Sequence, residues 1–95
     1  MKKDIDKDVI IKKIVDTYDN NIQQVVAMEE LAELQKEVSK SIRGKKNKEA
    51  LIEEMSDVLI MIEQLKLIHN ISEDDLEEEI TFKLIRMNER MEELD

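Results

Sequence analysis

Apolar residues recur along this chain at helical spacing, and short polar breaks divide them into four runs. In the first, Ile5, Val9, Ile14 and Tyr18 form the core of a stripe that Ile10 and Ile11 widen, so the pattern predicts a helix from about Asp4 to Tyr18. Asp19-Asn20-Asn21 interrupts it and offers caps for the next helix. Ala27, Leu31, Leu34, Val38 and Ile42 then mark a second helix from about Ile22 to Ile42. It ends at Arg43-Gly44-Lys45-Lys46-Asn47, where the chain's one glycine stands at a position that favours positive φ. The third run, about Lys48 to His69, is apolar nearly all round its middle and predicts the central helix. After His69-Asn70-Ile71, Ser72-Glu73-Asp74-Asp75 reads as a capping box. It opens a fourth helix from about Glu73 to Leu94, with Leu76, Ile80, Leu84, Met87, Met91 and Leu94 as its stripe.

Breaks this short place consecutive helices antiparallel, so the expected fold is all-α: a small antiparallel bundle of about four helices, a single domain over residues 1–95. A chain of 95 residues folding alone buries only about 60–65% of its unfolded surface and is marginal. Stripes this wide on helices this long therefore point to completion by a second copy, as a homodimer or tetramer.

Composition narrows the chemistry. There is no Cys, which excludes thiolate metal sites, disulfides and cysteine nucleophiles, and the one His, His69, excludes any site built on two imidazoles. A net charge of −9 argues against sequence-independent binding to a nucleic acid polymer. The longest apolar run, Val58 to Ile62, is far too short to span a membrane, and the charged segment Met1 to Lys13 has no signal-peptide core. The expected location is the cytoplasm.

The placement of the acids matters more than their number. With Glu54 at the origin of a helical wheel, Leu51, Asp57, Val58, Met61, Leu65 and Ile68 all fall within about 60° of it. Two carboxylates thus share the apolar face of the central helix. On the second helix, Val26 and Leu34 flank Glu30, with Glu33 and Glu37 on the same edge, while Glu29 points further outward. Two antiparallel helices would direct an i, i+3 carboxylate pair each at their common groove, where four charges need either protons or a cation. Oxygen-only ligands suit a hard ion, Mg²⁺ or Mn²⁺. A carboxylate-bridged di-iron centre would need Glu-x-x-His, and the residue three before His69 is Lys66. In a chain with 24 acids, a solvated acidic face is the competing reading.

Glu29-Glu30-Leu31-Ala32-Glu33 fits E-E-x-x-E and Glu54-Met55-Ser56-Asp57 fits E-x-x-D, about 20 residues apart on consecutive helices. Together the two blocks resemble the signature of the MazG-like all-α nucleoside triphosphate pyrophosphohydrolases, over roughly Ile22 to Arg90. The resemblance implies Mg²⁺-dependent cleavage of a (d)NTP between the α- and β-phosphates, giving (d)NMP and pyrophosphate. It implies Glu30, Glu33, Glu54 and Asp57 as metal ligands, and an obligate dimer or a tetramer. Glu37, one turn beyond Glu33, is a candidate for positioning the attacking water. Lys83, Arg86 and Arg90, along one edge of the fourth helix, are candidates for the substrate phosphates, with i, i+4 pairing to acids of their own helix as the alternative.

Arg43, Lys45 and Lys46 could also meet phosphate, or simply form a solvated turn. Tyr18 and Phe82 read as core, His69 as a helix C-terminal cap interaction, and the six Met residues as core filler. The rival function is a non-enzymatic acidic helical dimerisation or interaction module.

Overall fold

The computed structural model describes residues 4–94. The two ends of the domain expected over 1–95, including the first residues of the charged Met1–Lys13 segment, lie outside them. Four helices account for nearly all of it, α1 (Lys7–Thr17), α2 (Asn20–Ile42), α3 (Lys48–Ile68) and α4 (Glu73–Glu93), with no strand among the described residues. The fold is an all-α bundle.

Local chemistry sets the ends. The α1 helix begins later than the periodicity predicts because Asp6 caps it, its carboxylate accepting from the Val9 N–H at 3.2 Å. Asp19 does the same for α2 through the Ile22 N–H at 3.0 Å, so α2 starts two residues earlier than Ile22. Ser72 and Asp75 form the expected capping box at the start of α4. Gly44, at φ 87°, ends α2 with paired closing bonds, Gly44 N–H to Ser41 O and Lys45 N–H to Lys40 O. Asn70, at φ 54°, ends α3 in the same way through Asn70 N–H to Leu67 O and Ile71 N–H to Lys66 O.

The principal packing is α2 against α3, with α1 laid on the other side of α3, so α3 is central as its apolar girth predicts. The buried apolar positions among the described residues are few: Ala27 on α2, and Val58 and Met61 on α3. Polar contacts pin the α2–α3 pair near both ends. At one end Gln23 Nε2 donates to Gln64 Oε1 at 2.9 Å, and Gln24 Oε1 lies 2.7 Å from His69 Nε2. His69 is the C-cap of α3, the position at which the sequence reads it, and its side chain also reaches α2. At the other end Asn47 Nδ2 donates to both the backbone carbonyl and the carboxylate of Glu37, each at 2.9 Å.

The α4 helix buries none of its residues, and Ile80, Leu84, Met87 and Met91 stand exposed along its length. Its tie to the rest runs through Lys66, whose ammonium donates to Glu63 on α3 and to Glu73 at the start of α4. The resulting shape is open. The Cα radius of gyration is 16.7 Å, against about 12.4 Å for a compact chain of this length. The surface is 8366 Å², against about 5,700 Å² for a compact monomer of this mass.

Candidate metal centre

Glu30 comes from α2, and Glu54 and Asp57 come from α3, one helical turn apart. One carboxylate oxygen from each lies within 4.8 Å of the others. All three side chains are half-buried in the α2–α3 groove. They meet there because Glu54 and Asp57 lie on the face that carries Val58 and Met61 into the core, while Glu30 follows Ala27 by one turn on α2.

Glu30 and Glu54 are disturbed by the acids around them. Glu30 is held above the usual carboxylate range, chiefly by a proton shared with the Asp57 carboxyl, then by loss of hydration and by the charges of Asp57, Glu54 and Glu33. Glu54 is also raised, first by loss of hydration and then by Asp57, Glu33, Glu53 and Glu37. A cation would relieve this repulsion. An octahedral Mg²⁺ with oxygens at about 2.1 Å keeps any two of them within about 4.2 Å. The 4.8 Å envelope of the three oxygens is slightly wider than that. The donor set, all oxygen and anionic, fits a hard divalent ion.

Glu33 stays outside the group of three. It is exposed one turn along α2, near enough for its charge to raise both Glu30 and Glu54. Glu29 is exposed, in line with its outward position on the wheel. Glu37 is buried to 8% exposure, and its carboxylate is already engaged by Asn47 and by Lys40 Nζ at 3.1 Å. These two partners, Asn47 foremost, hold it below the usual carboxylate range against the loss of hydration. Sequence reasoning missed Asn47. Its place just before α3 reads as an N-cap, yet its amide is turned back onto α2 and makes no cap bond.

Lys83, Arg86 and Arg90 share one edge of α4 and, with Met87, line a shallow concavity made by that helix alone. Lys83 Nζ is 3.8 Å from Glu79, the i, i+4 alternative, and the Arg86 guanidinium sits over the Phe82 ring at 5.8 Å. Phe82 is exposed rather than core, as is Tyr18. The structure therefore brings three of the four expected metal ligands together and leaves the α4 cations on a separate surface.

No family model, curated protein or solved structure matches the chain. No helix among the described residues is long and apolar enough to cross a membrane.

Proposed function

We propose that this protein is a Mg²⁺-dependent nucleoside triphosphate pyrophosphohydrolase of the MazG-like kind, acting in the cytoplasm as a homodimer or a dimer of dimers. The observation that carries the reading is the convergence of Glu30, Glu54 and Asp57 from two helices into one half-buried group. Unpaired acids are rarely drawn together on the apolar side of a helix pair without a cation to justify them. These are also three of the four positions singled out by the E-E-x-x-E and E-x-x-D blocks.

Glu30, Glu54 and Asp57 would hold the ion, with Glu33 reaching it as a fourth ligand by rotation from the adjacent turn. Mn²⁺ is the natural substitute. A Mg²⁺ held by these carboxylates would supply charge neutralisation for the triphosphate and a more nucleophilic water. Without it, the same carboxylates repel the substrate. Glu37 is assigned to fixing the α2–α3 turn rather than to handling the water, because both its oxygens are engaged. Lys83, Arg86 and Arg90 would supply positive charge to the phosphates within the assembled oligomer, which can join the α4 surface of one copy to the acids of another.

The oligomer is supported by area. The chain exposes about 2,700 Å² more than a compact monomer of its mass, while each partner in a standard interface contributes about 800 Å². The same uncovered surface favours the second reading, an interaction module without catalysis.

Incubating the protein with a panel of (d)NTPs and Mg²⁺, and resolving the products, tests the proposal. Monophosphate and pyrophosphate are expected. Diphosphate and orthophosphate as primary products would mean a different enzyme, and no turnover across the panel would leave the interaction module.

A further inference from the structure

The turn between α2 and α3 borders an open concavity of about 1010 Å³ that the proposed reaction does not use. Lys40, Arg43, Lys45, Lys46 and Lys48 line it against only two carboxylates, Glu37 and Glu49. In a chain of net charge −9, this is a local reversal of sign. Glu37 is already paired with Lys40 and Asn47. Lys45, Lys46 and Lys48 have no carboxylate within 4 Å among the described residues. These cations are exposed, so water screens part of their mutual repulsion, and an anion seated among them would offset the rest.

The backbone adds donors to the same hollow. Asn47, Lys48, Glu49 and Ala50 line it, and no side chain caps α3: the Asn47 side chain is turned toward Glu37, to which its Nδ2 donates. The first-turn N–H groups of α3 thus lack the side-chain acceptor that Asp6, Asp19 and Ser72 give the other helices. An anion seated among the lysines would serve as that acceptor.

We infer that the α2–α3 turn is a binding site for a compact polyphosphate group, a diphosphate or triphosphate, separate from the acidic centre and independent of divalent metal. Compactness follows from the surroundings. Glu37 marks the inner rim, and Glu30 lies seven residues back along α2, about 10.5 Å away along the helix axis. A long polyanion leaving the hollow in that direction would meet the acids of the groove, whereas a small one stays among the cations. The inference does not depend on catalysis and stands or falls without it.

The test is binding of inorganic pyrophosphate to the full chain in EDTA at constant ionic strength, measured by calorimetry and thermal melting. Adenosine diphosphate, sulfate and a short RNA oligonucleotide are titrated in parallel. Saturable pyrophosphate binding with a rise in melting temperature is expected. A Lys45→Gln/Lys46→Gln/Lys48→Gln variant should weaken it tenfold or more while keeping its helical circular dichroism. Lys7→Gln/Lys13→Gln, which removes charge on α1 away from the turn, should bind as wild type does. Tighter binding of adenosine diphosphate by wild type but not by the turn variant would identify a nucleotide as the source of the diphosphate. Equal binding would identify inorganic pyrophosphate. No saturable binding, undiminished binding by the turn variant, equal loss in the control variant, sulfate binding as tightly as pyrophosphate, or RNA binding in its place would each overturn the inference.

Discussion

Glu54 is the residue on which the metal assignment turns, because it combines lost hydration with charged neighbours and comes from the central helix. Glu54→Gln keeps the shape and removes one charge. It is expected to lower activity by orders of magnitude and to shrink the rise in melting temperature that Mg²⁺ brings. For a site that binds only the folded chain, that rise corresponds to about 2.7 kcal/mol at a hundredfold excess over Kd. The metal-free variant should be no less stable than wild type, since it loses a repulsion. The same change at exposed Glu92 serves as the comparison. Melting curves with and without Mg²⁺ decide it, and an intact Mg²⁺ shift in Glu54→Gln would remove the assignment.

Glu37 carries the opposite expectation. Its carboxyl is lowered by Asn47 and Lys40, so its contribution is present above the ordinary carboxylate range and is lost as pH falls through its depressed value. Asn47→Ala should therefore lower stability at neutral pH and flatten the dependence of melting temperature on pH below the ordinary carboxylate range. A variant with the wild-type acid limb would contradict this.

Among the elements, the turns make the sharpest statement. Gly44 holds φ 87°, and a Cβ placed there would meet nothing within 4 Å. Gly44→Ala should thus report backbone strain alone, about 1–2 kcal/mol. In a domain of this size each kcal/mol is worth roughly 4–8 °C in melting temperature. A shift below about 2 °C would show that the turn relaxes. Most of this architecture was legible in the sequence. Helical periodicity marked all four helices, and Gly44 and Ser72 marked two of their ends, because each signal acts within one turn of chain. The acid group was legible for a related reason, since Glu54 and Asp57 share an apolar face that must pack somewhere. Contacts that depend on two helices meeting at a given register were not legible. The Gln23–Gln64 pair, the Gln24–His69 contact and the capture of Asn47 by Glu37 join residues whose types would suit a solvated surface equally well. Nor does the stripe on α4 reveal whether its partner lies in the same chain or in another.

For the whole molecule, three buried apolar residues among the described ones make a very small core for a chain of 95 residues. Sedimentation at micromolar concentration should give twice or four times the 11.2 kDa of one chain. A folded species of about 11 kDa would rule out the assembly proposed above.

The bare length of α4 also governs how the protein reaches its folded state. Its apolar side finds almost nothing to bury against among the described residues of its own chain, so in the proposed oligomer the last step of folding would be an encounter between two molecules. Refolding from denaturant should then contain a phase whose half-time shortens in proportion as protein concentration rises, with the helices of each chain forming before it and the tight packing after. Melting temperature should climb with concentration for the same reason. During synthesis, each new copy would remain vulnerable to proteases along residues 73–93 until it meets another, so its abundance in a cell would rise more steeply than its rate of production.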